Sequence, residues 1–273
     1  MTTSPIRPTA STPSLNDSAK RNEHPERRGR PARGGGTGRG SGGHSPDLDL
    51  AGTIRPGLDI LANEIVIALK KRTRFARNPS VYVPGLVRGE DTASLLDYSL
   101  GAVERQHAAL GRYTFAAQDA FTDVADVVPV IRREPPPTPV RAMPSRVGER
   151  LIAFYRDWIE RVCRPGDDPI TYGETVTADV GALLAIMERV NLGKPVAEAK
   201  FRQHEKKLRA SGGDREKILA LIVNSEREAA VLALAKRLAE RYELPPEPVR
   251  RVFDFMIATT IDIEVDYLRR RIA

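Results

Sequence analysis

The chain has 273 residues and a formal net charge of +7, and its glycines and prolines are distributed unevenly. Residues 1–50 contain eight glycines, six prolines and only five large apolar side chains. Such a segment buries too little surface to offset the entropy of ordering its backbone. We therefore expect a disordered Gly/Pro/Arg-rich arm over 1–50 and one large folded domain over 51–273.

Several classes of protein are disfavoured by the composition. No apolar run approaches the roughly 18 residues that suggest a transmembrane helix. The first 50 residues lack the apolar segment of a secretory signal peptide, so we expect a cytoplasmic protein. The single cysteine, Cys163, has no disulfide or metal-ligand partner, and we expect neither a metal nor a cofactor. Residues 51–273 have a net charge of +4, which is mild for a nucleic-acid surface and suits a pocket for a small dianion.

Apolar residues recur at three- and four-residue steps along most of the domain, as in amphipathic helices. With the Gly, Pro and capping signals, this spacing predicts helices over Ile54–Arg77, Thr92–Tyr113, Val147–Val162, Thr175–Asn191, Pro195–Arg209, Arg215–Ile222, Ser225–Tyr242 and Pro246–Arg271. Gly193 fits a C-terminal cap of the fourth helix. Residues 122–146 read as connection, with VVPVI as the one candidate for a short extended piece. We therefore predict an all-α domain, a single large helical bundle.

Four polar residues lie in pairs at a spacing of four on two of these helices. Thr260 and Glu264 interrupt the apolar face of the last helix, and Asn224 and Glu228 open the helix before it. For the second pair, capping and compensation of the helix dipole form the simpler interpretation. A carboxylate on an apolar stripe must be paired, protonated, or placed at a rim where its stem reaches water.

Three cations are also placed where helix stability does not explain them. Arg189 lies on a strongly apolar helix, Lys200 follows eleven residues later, and Arg55 opens the first helix, where a positive charge opposes the helix dipole. Each alone is usually a solvated cation. Together with the two polar pairs, they indicate an anion-binding cavity inside a helical bundle. The sequence shows no nucleophile and base pair, metal-ligand cluster or Gly-rich phosphate loop.

Several long segments carry a family resemblance. They are IRPGLDILANEIVIALKKRTRFARNPSVY, SLLDYSLGAVERQHAALGRY, GDDPITYGETVTADVGALLAIMERVNLGKPVAEAKF and TTIDIEVDYLRRRI. In order and spacing they resemble the chorismate mutases of the fungal and plant type, over about Ile54–Ile272. The resemblance is weak over Thr114–Arg146 and Gln203–Leu221. It implies an all-α fold, usually a homodimer, that rearranges chorismate to prephenate without a cofactor.

The resemblance also implies roles for the residues singled out above. The implied substrate-binding set is Arg55, Arg189, Lys200, Asn224, Glu228, Thr260 and Glu264. Within it, Lys200, Glu264 and Arg189 are the residues with catalytic roles. Glu264 can donate to the breaking ether oxygen only when it is protonated. The direction of its pKa shift stays open at this stage, because burial and a dianionic substrate raise the pKa while Lys200 and the arginines lower it.

The chain departs from the family at the positions of its regulatory site. Fungal and plant enzymes commonly bind aromatic amino acids at a dimer interface, through two adjacent arginines after the second helix and an Asn-Phe-Gly-Ser segment. Here the corresponding pieces are Gly111-Arg112 and Thr171–Glu174. Arg112, Gly173 and Glu174 are therefore candidate remnants of an effector site. The segment RYELPPEP before the last helix is also shorter than the loop of the regulated enzymes, so we expect Tyr/Trp control to be lost or altered.

Two alternatives remain open from the sequence. A mutase of the same type could act on 4-amino-4-deoxychorismate or isochorismate, because Glu228 accepts a hydrogen bond from an amine as well as from a hydroxyl. A more remote alternative is a DNA-associated, non-catalytic protein, because Arg28-Gly29-Arg30-Pro31 in the arm matches the core of an AT-hook. The match covers four residues, and we expect no nucleic-acid partner.

Overall fold

The computed structural model describes residues 48–132, 134 and 137–273. Within them the chain forms helices and no strand, so the all-α prediction is confirmed and VVPVI stays irregular. The α-helices are α1 (Arg55–Arg72), α2 (Leu95–Ala109), α3 (Gly148–Val162), α4 (Tyr172–Asn191), α5 (Gly193–Ala210), α6 (Arg215–Ile222), α7 (Ser225–Arg241) and α8 (Pro246–Ile272). The predicted arm lies outside the described residues apart from its last three positions, and its Arg-Gly-Arg-Pro segment lies wholly outside them.

Helices α4 and α8 form the centre of the bundle. Helix α1 packs on α4, while α5 and α7 pack on α8, which also contacts α4. More than half of the residues of α4 are buried, which is why its sequence is apolar around most of its circumference. Among the described residues, none of the helices has the length and hydropathy needed to cross a membrane. The same residues contain no group of three or more His, Cys, Asp or Glu side chains arranged to hold a metal.

The end of α1 was predicted at Arg77 and lies five residues earlier, at Arg72. Arg72 is fully buried, and its Nε donates to Asp179 Oδ1 at 2.6 Å. Its other nitrogens donate to the carbonyls of Ala76 (2.9 Å) and Arg77 (2.9 Å), which requires the backbone to leave the helix directly after Arg72. Asp179 accepts a further bond from Tyr155, so the cluster ties α1, α3 and α4 together. The other predicted helix bounds agree with the structure to within four residues.

Gly193 was predicted to cap α4, and this was wrong. Leu192 is the single residue between α4 and α5, and Gly193 is the first residue of α5. A Cβ at position 193 would lie 3.2 Å from Thr260 Cγ2 and 3.4 Å from the Thr260 carbonyl oxygen. Glycine suits this position because α5 starts in close contact with α8, where an added Cβ would crowd Thr260.

The folded part begins before the expected boundary at residue 51. A π-helical turn at Leu50–Ile54 precedes α1, and Asp49 caps it by accepting from Ala51 N at 2.9 Å. Leu50 is buried, and Leu48 packs against two groups of buried residues, one of which includes Ala199 of α5. By these contacts, residues 48–50 belong to the folded domain rather than to the arm.

Candidate active site

One cavity lies between the start of α1, the end of α4, the first half of α5, the start of α7 and the middle of α8. All seven residues of the predicted substrate-binding set line it: Arg55, Arg189, Lys200, Asn224, Glu228, Thr260 and Glu264. Most of the other residues that line the cavity are apolar, among them Leu50 and Ile54 of the π-helical turn. The sequence placed these seven residues on five helices, and the fold brings them together.

Lys200 and Glu264 form the most closely coupled pair in the cavity. Lys200 Nζ donates to Glu264 Oε2 at 2.6 Å and to the Ile222 carbonyl oxygen at 2.8 Å. The side chain of Glu264 is only 5 % exposed and that of Lys200 is 22 % exposed. Burial raises the pKa of Glu264 above its usual range although Lys200 opposes the shift, and Glu228 adds a smaller contribution in the same direction as burial. The direction that the sequence left open is therefore upward.

Arg189 brings a buried positive charge to the cavity from the last turn of α4. This end of a helix favours a cation, and the guanidinium carbon lies 5.7 Å from the centre of the Phe253 ring. Burial lowers the pKa of Arg189 to about 10, which leaves the group protonated at neutral pH. Its Nε is buried and makes no hydrogen bond within the described part of the chain. Arg189 thus presents a charged donor to an anion in the cavity.

The side chain of Asn224 caps α7 and also lines the cavity. Its Oδ1 accepts from Arg227 N at 2.8 Å, so the side chain caps α7 as the simpler interpretation holds. Because the oxygen is used in this way, the amide nitrogen is the group left to donate toward the cavity. Glu228 lies one turn further along α7 and lines the same cavity with an acceptor.

Thr260 and Arg55 complete the predicted set, one with a buried hydroxyl and the other as an exposed residue. Thr260 Oγ1 is buried without a hydrogen-bond partner among the described residues, at the place where Gly193 brings α5 against α8. Arg55 is the first residue of α1 and is exposed, so its guanidinium lies at the cavity edge. The cavity thus has cations at its edge and in its interior.

Arg227 also lines the cavity and was missed from the sequence. It lies in the first turn of α7, where a positive charge opposes the helix dipole. The same signal marked Arg55 as unexplained by local stability. Applied to Arg227, it would have singled out this residue as well.

The three candidate effector residues do not meet within one chain. Arg112 Nη2 donates to Glu188 Oε2 at 2.9 Å, near the end of α4. Gly173 and Glu174 lie at the start of the same helix, 15 and 14 residues before Glu188, or about 21–22 Å along its axis at 1.5 Å per residue. The structure therefore leaves the interpretation of these residues as effector-site remnants a hypothesis.

The chain is similar to chorismate mutases in sequence and in structure. The family model described as chorismate mutase type II matches residues 172–265, the region from α4 to α8. The chorismate mutase of Emericella nidulans is 29 % identical over 84 % of this chain and 94 % of its own length. In family model, sequence and fold, the chain matches the chorismate mutases of the fungal and plant type. Within this family, the cytosolic chorismate mutase 2 of Zea mays is 24 % identical, over 80 % of this chain and 94 % of its own length.

A solved structure supports the family at the level of the fold. The chorismate mutase of Candida albicans in complex with L-Trp superposes with a TM-score of 0.73 at 28 % identity, covering 82 % of this chain and 92 % of its own. Most of the fold of that chorismate mutase is therefore present in this chain.

Proposed function

We propose that this protein catalyses the intramolecular Claisen rearrangement of chorismate to prephenate. The ether C–O bond between the ring and the enolpyruvyl side chain breaks while a C–C bond forms between that side chain and the ring. No atom leaves the molecule, and no acid, base or nucleophile has to react covalently. An enzyme for this step has to select the compact conformer and stabilise the negative charge that develops on the ether oxygen.

The observation that carries this proposal is the pairing of Lys200 with a buried Glu264 inside a cavity lined by arginines. Lys200 is placed to donate to the ether oxygen and to a substrate carboxylate. The bond to the ether oxygen strengthens as charge develops, so it favours the transition state over the ground state. Glu264, in its protonated form, is the second donor to the same oxygen. The raised pKa of Glu264 supports that role, because it extends the protonated form to higher pH.

The remaining residues of the set are proposed to hold the substrate in its reactive shape. Arg55 and Arg189 bind the two carboxylates, and each guanidinium can do so with two parallel hydrogen bonds. Asn224 donates to the ring hydroxyl through its amide nitrogen, while Glu228 accepts from that hydroxyl. Thr260 offers a hydroxyl from α8.

Chorismate is the substrate that the comparisons favour. The relatives described above are chorismate mutases, and no observation favours an aminated or isomeric chorismate or a DNA-associated role. Parallel measurements of kcat/KM on chorismate, isochorismate and 4-amino-4-deoxychorismate test this choice. We expect chorismate to give the highest value, and a higher value for either analogue would contradict the proposal.

We further propose that the protein acts in the cytoplasm as a homodimer. One maize relative is described as cytosolic, which supports the location. Two observations favour a dimer. Tyr98 in the first turn of α2 and Leu110, directly after the end of α2, are large apolar residues that stay more than half exposed. The candidate effector residues lie far apart within one chain, as expected for a site that two subunits share.

Control by aromatic amino acids is expected to be weak or absent. The arginine pair is reduced to Arg112, which is already engaged by Glu188, and Glu174 adds a carboxylate that repels the carboxylate of an amino acid. We expect Tyr or Trp at about 1 mM, on the order of the upper end of typical KM values, to change the initial rate on chorismate less than twofold. A twofold change corresponds to about 0.4 kcal/mol. A several-fold inhibition or activation that Arg112→Ala abolishes would show instead that the site is retained.

A further inference from the structure

An ion pair joins two of the helices that carry substrate-binding residues. Arg227 Nη2 donates to Asp59 Oδ1 at 2.8 Å, so the pair links α7 to α1. Asp59 lies one helical turn after Arg55, and Arg227 lies between Asn224 and Glu228 in sequence. The side chains are 32 % and 47 % exposed for Arg227 and Asp59, which places the pair at the mouth of the cavity rather than in the core.

Only Arg227 of this pair lines the cavity, and its hydrogen-bonding capacity is largely unused. Asp59 accepts one hydrogen bond from it, while a guanidinium has five N–H donors. Its other N–H groups make no hydrogen bond within the described residues. Both members of the pair also act on the buried Arg189: Asp59 raises the pKa of Arg189, and Arg227 lowers it. The pair therefore lies within electrostatic reach of the site where a carboxylate is expected to bind.

We propose that Arg227 is a further substrate-binding residue, held at the cavity mouth by Asp59 until a dianion enters. This inference rests on the proposed function, because it assumes a dianionic substrate in this cavity. The substrate competes with Asp59 for the guanidinium of Arg227. Arg227 therefore increases affinity for the substrate, and Asp59 reduces it. Neither residue contacts the breaking bond, so kcat is expected to change little.

A purely structural ion pair makes a different prediction. If the pair only fixed α1 against α7, removal of either charge would loosen the same contact, and both variants would shift KM in the same direction. If Arg227 binds substrate, the two variants shift KM in opposite directions. The sign of the change thus separates the two explanations.

The test compares Arg227→Gln, Asp59→Asn and the double variant, which keep most of each side chain's volume. We expect Arg227→Gln to raise KM for chorismate about tenfold, the size typical of a lost hydrogen bond to a charged group, with kcat within about twofold. Asp59→Asn is expected to lower KM about two- to threefold, about 0.4–0.7 kcal/mol. The inhibition constant of prephenate, a dianionic product, is expected to move in parallel. Added salt should reduce the difference between the variants.

The exposed ion pair of Arg105 and Asp126 provides the matched controls. Arg105 donates two hydrogen bonds of 2.9 Å to Asp126, and neither residue lines the cavity. Arg105→Gln and Asp126→Asn are expected to leave KM unchanged. Parallel changes in KM for Arg227→Gln and Asp59→Asn, or no change in either, would overturn the inference. If Arg227→Gln shows no cooperative thermal transition and is therefore unfolded, Arg227→Lys replaces it. We expect the KM of Arg227→Lys to lie between the wild-type value and the roughly tenfold higher value expected for Arg227→Gln. Failure of the wild type to convert chorismate would instead reject the proposed function, so the two failures are distinguishable.

Discussion

Replacing Lys200 by alanine is expected to lower kcat on chorismate by about 10²–10³-fold, the usual cost of one donor to a developing oxyanion. Lys200 is bonded to Glu264 at 2.6 Å and lines the cavity, so it is placed to donate to the ether oxygen. The substitution removes an interaction that strengthens in the transition state, and kcat should therefore fall more than KM rises. Initial rates measured over a range of chorismate concentrations give both parameters.

A second lysine on the same helix provides the control. Lys207 lies in the last turn of α5, seven residues after Lys200, and is exposed. The backbone of α5 is non-helical at His204, between these two lysines. Lys207→Ala should retain wild-type kcat. A Lys200→Ala variant with an unchanged thermal transition and near wild-type kcat would contradict the assigned role.

The pH profile is expected to depend on the protonation of Glu264. Burial raises the pKa of Glu264, and a bound dianion raises it further. Below that pKa the carboxyl is protonated and donates to the ether oxygen; above it the donor is lost. Wild-type kcat should therefore fall as pH rises through the raised pKa, approaching tenfold per pH unit on the alkaline side. Rates from about pH 5 to 9 bracket the range over which perturbed carboxyl groups titrate.

Glu264→Gln separates the proton from the rest of the side chain. An amide donates at every pH in this range, so the variant is expected to keep its activity at alkaline pH and to exceed the wild type there. The amide donates less strongly than a protonated carboxyl, and we expect lower activity than the wild type at acidic pH. A flat wild-type profile, or an inactive but folded Glu264→Gln variant, would contradict this role.

The parts of the fold and site that the sequence predicted depend on local spacing. Pro246 marks the first residue of α8, and Arg215–Ile222 is observed with the predicted bounds. Thr260 and Glu264 face one cavity because residues four apart share a helix face, and the same holds for Asn224 and Glu228. The placement of the three cations and the two polar pairs on otherwise apolar helices already indicated a shared cavity, and the family resemblance added the role expected of each residue.

The parts that the sequence did not predict depend on contacts between distant residues. Arg72 ends α1 early because it binds Asp179, 107 positions later. Arg227 meets Asp59 across 168 positions. The role of Gly193 depends on its approach to Thr260 of α8. None of these partners is visible in a local pattern.

The direction of the Glu264 pKa shift was also beyond the sequence. It depends on how far burial exceeds the attraction of Lys200, and both effects are set by three-dimensional placement. The residue types alone support either sign. The structure resolves the direction because it gives the exposure of Glu264 and the distance to Lys200 together.

The most direct test of the central claim follows purified wild-type protein and Lys200→Ala side by side with chorismate. Loss of chorismate is read by its ultraviolet absorbance, and prephenate is quantified in the same samples. We predict that the wild type converts chorismate to prephenate in equal molar amounts without added metal or cofactor, at least about 10²-fold faster than the variant. A folded wild-type protein that leaves chorismate unchanged, or one that the Lys200→Ala variant matches in rate, would contradict the assignment of this cavity as the active site.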